Sequence, residues 1–252
     1  MTGDLAGRSV IVTGACGGIG SACARLFAAR GTRLTLVDRN RDRLAELAGS
    51  LGASEFQELA LDVTSEADMA RMADAAMERF GAIDALVCAA GILRTGGQPR
   101  PVSETSFDEW RTVIDVNLTG TFLSNRAVLP AMLQRSAGDI INISSTSGRQ
   151  GRPFDAAYCA SKFGVIGFSE SLAEEVGRLG IRVQTLLPDA VDTALWEQSG
   201  SAALKPRAML SADRVAEFVL YLLTLPRDAF LLNPLLYALR PRGRRGAADR
   251  SG

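Results

Sequence analysis

Tyr158 and Lys162, in the stretch YCASK, stand four positions apart with three small residues between them. Four residues is about one helical turn, so on a helix the phenol and the ammonium share a face. A nearby ammonium favours the phenolate and lowers a phenol from its ordinary pKa of about 10. Such a pair can move a proton to or from a substrate oxygen. Two helix neighbours also share a face for packing alone, so the choice falls to the rest of the chain. There is no histidine, which removes imidazole triads and His-containing metal sites and leaves proton transfer to Tyr, Lys, Asp, Glu or Cys. Cys16, Cys23, Cys88 and Cys159 show no C-x-x-C spacing. They are read as free thiols serving as small apolar residues, and no metal is expected.

A second group of residues points to a phosphate. TGACGGIG, residues 13–20, follows the apolar run 9–13 and opens a helical pattern at 18. Glycines there allow a tight turn and the close approach of a pyrophosphate, which meets the free N–H groups and positive end of a helix. A glycine-rich turn without a ligand is the competing reading. Asp38 strengthens the ligand reading: at the end of the second apolar run, a carboxylate can accept hydrogen bonds from both ribose hydroxyls of NAD and repels a 2′-phosphate. Arg39 could pair with such a phosphate, but no basic residue lies inside the glycine turn. NAD is therefore expected ahead of NADP. Asp62 is either a further carboxylate at the ligand crevice or a helix N-terminal residue before Thr64 and Glu66, the two readings being even.

The elements that position these residues alternate. Strands are expected at 9–13, 33–38, 56–62, 84–90, 139–144 and 181–187, and helices at 18–30, 40–51, 65–80, 106–134 and 157–179, with Pro130 bending or interrupting the fourth helix. The near-continuous apolar runs suit strands covered on both faces. Segments 92–101 and 189–210 read as loops, the second around a lone Trp196. Residues 230–241 read as an edge strand broken by Pro234. Residues 1–240 are expected to form one nucleotide-binding domain that includes the catalytic residues, and 241–252 a disordered tail.

The 252 residues carry 28 basic and 28 acidic side chains. The resulting zero net charge gives no broad basic surface, so nucleic acid is not an expected partner. No apolar run reaches the roughly 18 residues of a membrane span, and the first residues lack the pattern of a secretion signal. A cytoplasmic protein without membrane contact is expected.

With TGACGGIG, Asp38, Asp62 and YCASK in this order, the chain resembles the short-chain dehydrogenase/reductase family over about residues 5–225. Thr13, Gly14, Gly18 and Gly20 meet its glycine pattern, and Tyr158 and Lys162 its Tyr-x-x-x-Lys pair. The resemblance implies an α/β fold, a single-domain Rossmann-type doubly wound parallel sheet of about seven strands with helices on both faces. It implies Ser145, rather than Ser144, as the catalytic serine thirteen residues before Tyr158, and Asn117 of DVNLTG as the catalytic asparagine, holding a water that links Lys162 to solvent. Cys16 and Ile19 in the glycine turn, Val63 after Asp62, Ala90 and Gly91 after the fourth strand, and Pro188, Val191 and Thr193 after the sixth are implied cofactor contacts. Two places depart from the pattern. Cys88 and Ala89 stand where the family has asparagines, removing an amide that would tie that turn. Asp189 stands where it has glycine, so that either the backbone runs differently or a carboxylate faces the substrate.

The resemblance implies an oxidoreductase that moves a hydride between NAD and a secondary alcohol or ketone. In it Lys162 and the cationic nicotinamide lower the pKa of Tyr158, and Ser145 holds the substrate oxygen. The alternatives are a non-catalytic NAD-binding regulatory module, an NADP-preferring reductase, and an NAD-using epimerase or dehydratase. A small-molecule alcohol or ketone is the expected partner, and a homodimer or homotetramer the expected assembly.

Overall fold

The computed structural model describes residues 5–199, 206 and 208–239. Seven parallel strands form one sheet in the order β3-β2-β1-β4-β5-β6-β9. They are β1 (Ser9–Thr13), β2 (Arg33–Asp38), β3 (Phe56–Ala60), β4 (Ala85–Cys88), β5 (Gly138–Ile143), β6 (Ile181–Pro188) and β9 (Leu235–Leu236). The helices are α1 (Gly18–Ala28), α2 (Arg41–Gly49), α3 (Glu66–Phe80), α4 (Phe107–Ile114), α5 (Gly120–Arg135), α6 (Ala156–Val176) and α7 (Ala212–Thr224). The expected doubly wound sheet is thus what the chain forms. Its strands send alternate side chains to two cores, Val10, Val12, Val87 and Ile141 to one, and Ile11, Leu86 and Ile140 to the other. Helices α1, α2 and α7 close the first core, and α3, α5 and α6 the second. That two-sided cover is why the strands read as continuous apolar runs.

Several boundaries differ from the sequence expectation. β3 stops at Ala60 and β4 at Cys88, so Asp62, Ala90 and Gly91 stand beyond the carboxyl ends of their strands, where open sheets hold ligands. The long helix over 106–134 is broken, but not at Pro130, which lies within α5. The break is a π-helical turn, Asp115–Thr119, between α4 and α5. Such turns widen the helix and re-aim a side chain, and this one aims Asn117 into the interior. Helix α7 was not anticipated, although Ser211 caps it by accepting a bond from Arg214 N at 3.2 Å. Two short strands, β7 (Val191–Asp192) and β8 (Leu210–Ser211), pair as a separate ladder and pin both ends of the long segment after β6. β9 begins immediately after Pro234, the residue expected to break it. The tail 241–252 lies outside the described residues.

The amino end of the sheet is fastened by one buried carboxylate. Asp139, 1% exposed, accepts from Arg8 at 2.7 Å, Arg182 at 2.8 Å and Arg227 at 3.0 Å. Arg182 also donates to the carbonyls of Leu225, Pro226 and Ala229. The residues before β1, in β6 and after α7 are so tied to β5. No helix among the described residues is long and apolar enough to cross a membrane.

Candidate active site

A cavity of about 1430 Å³ runs along the carboxyl edge of the sheet. It opens at the topological switch between β1 and β4, where crossovers to opposite faces diverge.

At one end lies the glycine turn. Gly14 has φ +66°, and a Cβ there would sit 2.5 Å from the Ala90 backbone. The turns after β1 and β4 therefore touch, and only glycine permits it. Close packing here, with Asn117 bonding Ile92, holds the β4 turn in place of the missing amides at Cys88 and Ala89. A Cβ on Gly18 would meet Thr193 at 2.3 Å, and one on Gly20 would meet Gly14 O at 2.1 Å. Gly17 precedes α1 without a capping side chain, and no acid occupies the first helical turn. The helix start thus presents bare N–H groups and uncompensated positive dipole to the cavity, a fit for a pyrophosphate.

Asp38 reaches back to this turn. Its Oδ2 accepts from Cys16 N at 3.0 Å and its Oδ1 from Asn40 N at 3.1 Å, which fixes the carboxylate at the cavity wall. Arg39 is exposed beside it. Arg43, one turn further along, donates to Cys16 O at 2.9 Å. It supplies the basic group near the glycine turn that the linear sequence lacks. Asp62 accepts from both the N–H and the hydroxyl of Thr64 at its Oδ1, a local turn, while still lining the cavity. Ser65, not Asp62, caps α3. Cys16, Ile19, Val63, Ala90, Gly91, Pro188, Val191 and Thr193 line the cavity, whereas Gly20 and Asn117 lie behind its wall.

The other end holds the polar cluster. Tyr158 and Lys162, one turn apart on α6, both face the cavity. Lys162 Nζ lies 5.7 Å from the Tyr158 ring centre and donates to Ile143 O at 2.9 Å. The Ser145 hydroxyl, just beyond the end of β5, is close enough to the phenol to pull its pKa down and accepts from Ser147 N at 3.1 Å. Ser144 points away, donating to Lys162 O. Asn117 is fully buried. Its amide donates to Ile92 O and Ser161 Oγ, and its Oδ1 accepts from Ile92 N. Both amide hydrogens are thus used within the protein, and the side chain ties the turn after β4 to the π-helical turn.

Without a cofactor, burial pushes Tyr158 up to about 12, with Ser145 pulling it down. Burial lowers Lys162 to about 8. Both shifts disfavour the charged form, because the cluster sits in poorly solvated surroundings.

Asp189 lies at the cavity wall. Its N–H bonds Leu236 O at 2.8 Å, keeping the strand direction, and its Oδ1 accepts from Thr146 at 3.2 Å at the cavity wall. Among the described residues no cluster of His, Cys, Asp and Glu could hold a metal, and all four cysteines are unbridged and buried. Arg43, which sequence reasoning missed, lines the cavity, as do Arg94, Arg152 and Asp155. Each depends on folding for its partner.

A glycine turn at the switch point and a Ser–Tyr–Lys cluster facing it across one cavity define a dinucleotide-dependent enzyme. Residues 8–203 match the family model described as short chain dehydrogenase, and the chain belongs to that family. It is 40% identical over 207 residues, 80% of this chain and 78% of the other, to a D-threitol dehydrogenase of Mycolicibacterium smegmatis (strain ATCC 700084 / mc(2)155). It is 39% identical over 198 residues, 79% of this chain and 78% of the other, to a 2-dehydro-3-deoxy-L-rhamnonate dehydrogenase (NAD(+)) of Sphingomonas sp. (strain SKA58). A solved alcohol dehydrogenase from the archaeon Thermococcus sibiricus, complexed with 5-hydroxy-NADP, superposes with a TM-score of 0.82 at 29% identity, over 93% of this chain and 99% of that one. The protein is an oxidoreductase that transfers hydride between a nicotinamide cofactor and an alcohol or carbonyl group.

Proposed function

We propose that the enzyme oxidises a secondary alcohol, or reduces its ketone, with NAD, and that Tyr158 is the proton-transferring residue. The observation that carries this reading is the convergence of Ser145, Tyr158 and Lys162 on the cavity whose far end holds Gly14, Gly18 and Asp38.

The start of α1 would hold the pyrophosphate, Asp38 the adenosine ribose, Asp62 and Val63 the neighbouring wall, and Val191 and Thr193 the nicotinamide end. When bound, the cofactor takes up or returns the hydride, and its positive charge in the oxidised form favours the phenolate. In the free protein the raised phenol pKa keeps Tyr158 protonated at neutral pH, ready to donate to a carbonyl oxygen. In the oxidising direction its phenolate takes the proton from the substrate hydroxyl as the carbon gives up its hydride. Ser145 holds the substrate oxygen and stabilises the charge that develops on it. Lys162, whose Nζ donates to Ile143 O 5.7 Å from the Tyr158 ring centre, would place an ammonium beside the phenol and favour the phenolate. Asn117 is a positioning residue that keeps Ile92, and with it the β4 turn, in register.

NAD would be favoured over NADP because the Asp38 carboxylate, at the cavity wall, would accept the ribose hydroxyls and repel a 2′-phosphate. Arg39 and Arg43 beside it support the second reading, an enzyme that also accepts NADP. The test is Tyr158→Phe. Turnover should fall at least about a hundredfold while NAD affinity, read by fluorescence titration, keeps its order of magnitude. A variant that retains more than about a tenth of wild-type kcat would refute the role.

A further inference from the structure

Beside Tyr158 the cavity wall carries two arginine–aspartate pairs for which hydride transfer has no use. Arg94, from the segment after β4, pairs with Asp155. Its guanidinium is almost fully buried, yet its Nη1 has no hydrogen-bond partner among the described residues. Asp155 stands at the N-cap of α6 but makes no capping bond. Its side chain turns instead to Arg94, and its charge is close enough to raise the Tyr158 phenol. The preceding residue, Phe154, is held at φ +66° with its ring exposed, a strained conformation for a bulky side chain. Helix capping is thus forgone and strain is kept in the segment that presents Asp155. Close to Asp155, Arg152 approaches Asp189 to 3.9 Å, both partly exposed, with Thr146 donating to Asp189.

We propose that these pairs read the hydroxyl groups flanking the reacting carbon, so that the substrate is a polyhydroxylated alcohol or its ketone. This rests on the hydride-transfer reading above. A hydroxyl both donates and accepts, so one flanking hydroxyl can accept from Arg94 Nη1 while donating to Asp155, a demand that a hydrocarbon or a carboxylate does not meet. The two cations are matched by two anions, so this wall has no net charge to attract an acid. Charged partners make the strongest such bonds, and a substrate lacking the hydroxyl would leave them unmatched.

The test compares butan-2-ol, butane-2,3-diol in all stereoisomers, tetritols, pentitols and 3-hydroxybutanoate, with NAD and with NADP. In the wild type, kcat/KM should be at least tenfold higher for the diol or polyols than for butan-2-ol, equivalent to about 1.4 kcal/mol. Asp155→Asn, and separately the more exposed Asp189→Asn, should lower that preference ratio at least threefold. Equal efficiency with butan-2-ol, a preference for 3-hydroxybutanoate, or an unchanged ratio in both variants would overturn the recognition while leaving hydride transfer intact. Failure to oxidise every compound with either cofactor would overturn both. Circular dichroism of the variants keeps misfolding apart from altered recognition.

Discussion

Lys162 should destabilise the folded enzyme at neutral pH, and its replacement by methionine measures by how much. Its side chain is 5% exposed, and burial lowers it from 10.5 to about 8. Between those values the unfolded chain binds one more proton than the folded one, so stability rises with pH across the window. At about 1.36 kcal/mol per pH unit, a shift from 10.5 to about 8 corresponds to on the order of 3 kcal/mol. Below pH 8 that cost is present in full, and above 10.5 it is gone. Methionine keeps the apolar stem and removes the titration, but it leaves Ile143 O without its bond from Nζ, a loss of about 1–3 kcal/mol that does not vary with pH. The pH dependence therefore separates the two effects. Urea unfolding of wild type and Lys162→Met at pH 7 through 10.5 should show the wild type gaining about 2–3 kcal/mol on the variant as pH rises, while the variant is inactive throughout. A stability difference that stays flat over this range would refute the buried-charge argument and mean that Lys162 is solvated or paired. Tyr158 titrates in both proteins and cancels in the comparison.

Asp38→Ser should weaken NAD and relieve the penalty on NADP, shifting the ratio of kcat/KM values at least about tenfold, since bonds to a charged group contribute about 1.5–3 kcal/mol each; an unchanged ratio would remove Asp38 from the ribose site. Sedimentation at micromolar concentration should show a homo-oligomer, because Phe122, Phe163, Leu232, Leu235 and Tyr237 are exposed apolar side chains on α5, α6 and the C-terminal segment; a single monomeric species would refute this.

The doubly wound sheet was legible because each strand carries a run of apolar residues long enough to be buried twice, and Asp38 was legible because a parallel strand must end near the turn after its neighbour. That Tyr158 and Lys162 share a face of one helix needed only helical spacing, whereas their chemistry needed the rest of the chain. The π-turn at Asn117 was not legible, since its residues form an ordinary helical pattern and only tertiary bonding to Ile92 selects the wider turn. Helix α7 left local signals, Ser211 as cap and an apolar face over 212–224, that the loop-like residues before it obscured. Arg94 and Asp155 lie 61 residues apart. No local pattern links them, and none reveals that burial raises the Tyr158 phenol.

The chemistry of the protein is gathered at the carboxyl edge of the sheet, but a second vulnerable point sits at the opposite pole. Asp139 is the common counter-ion of Arg8, Arg182 and Arg227. Removing one partner of a buried ion pair costs about 3–5 kcal/mol, against the 5–15 kcal/mol that typically separates a folded domain from its unfolded chain. A lesion at this residue would lower the number of enzyme molecules a cell holds without altering how any surviving molecule works. A genetic screen scored on total activity in lysates would therefore rank Asp139 beside Tyr158, and only activity counted per folded molecule would return it to the architecture.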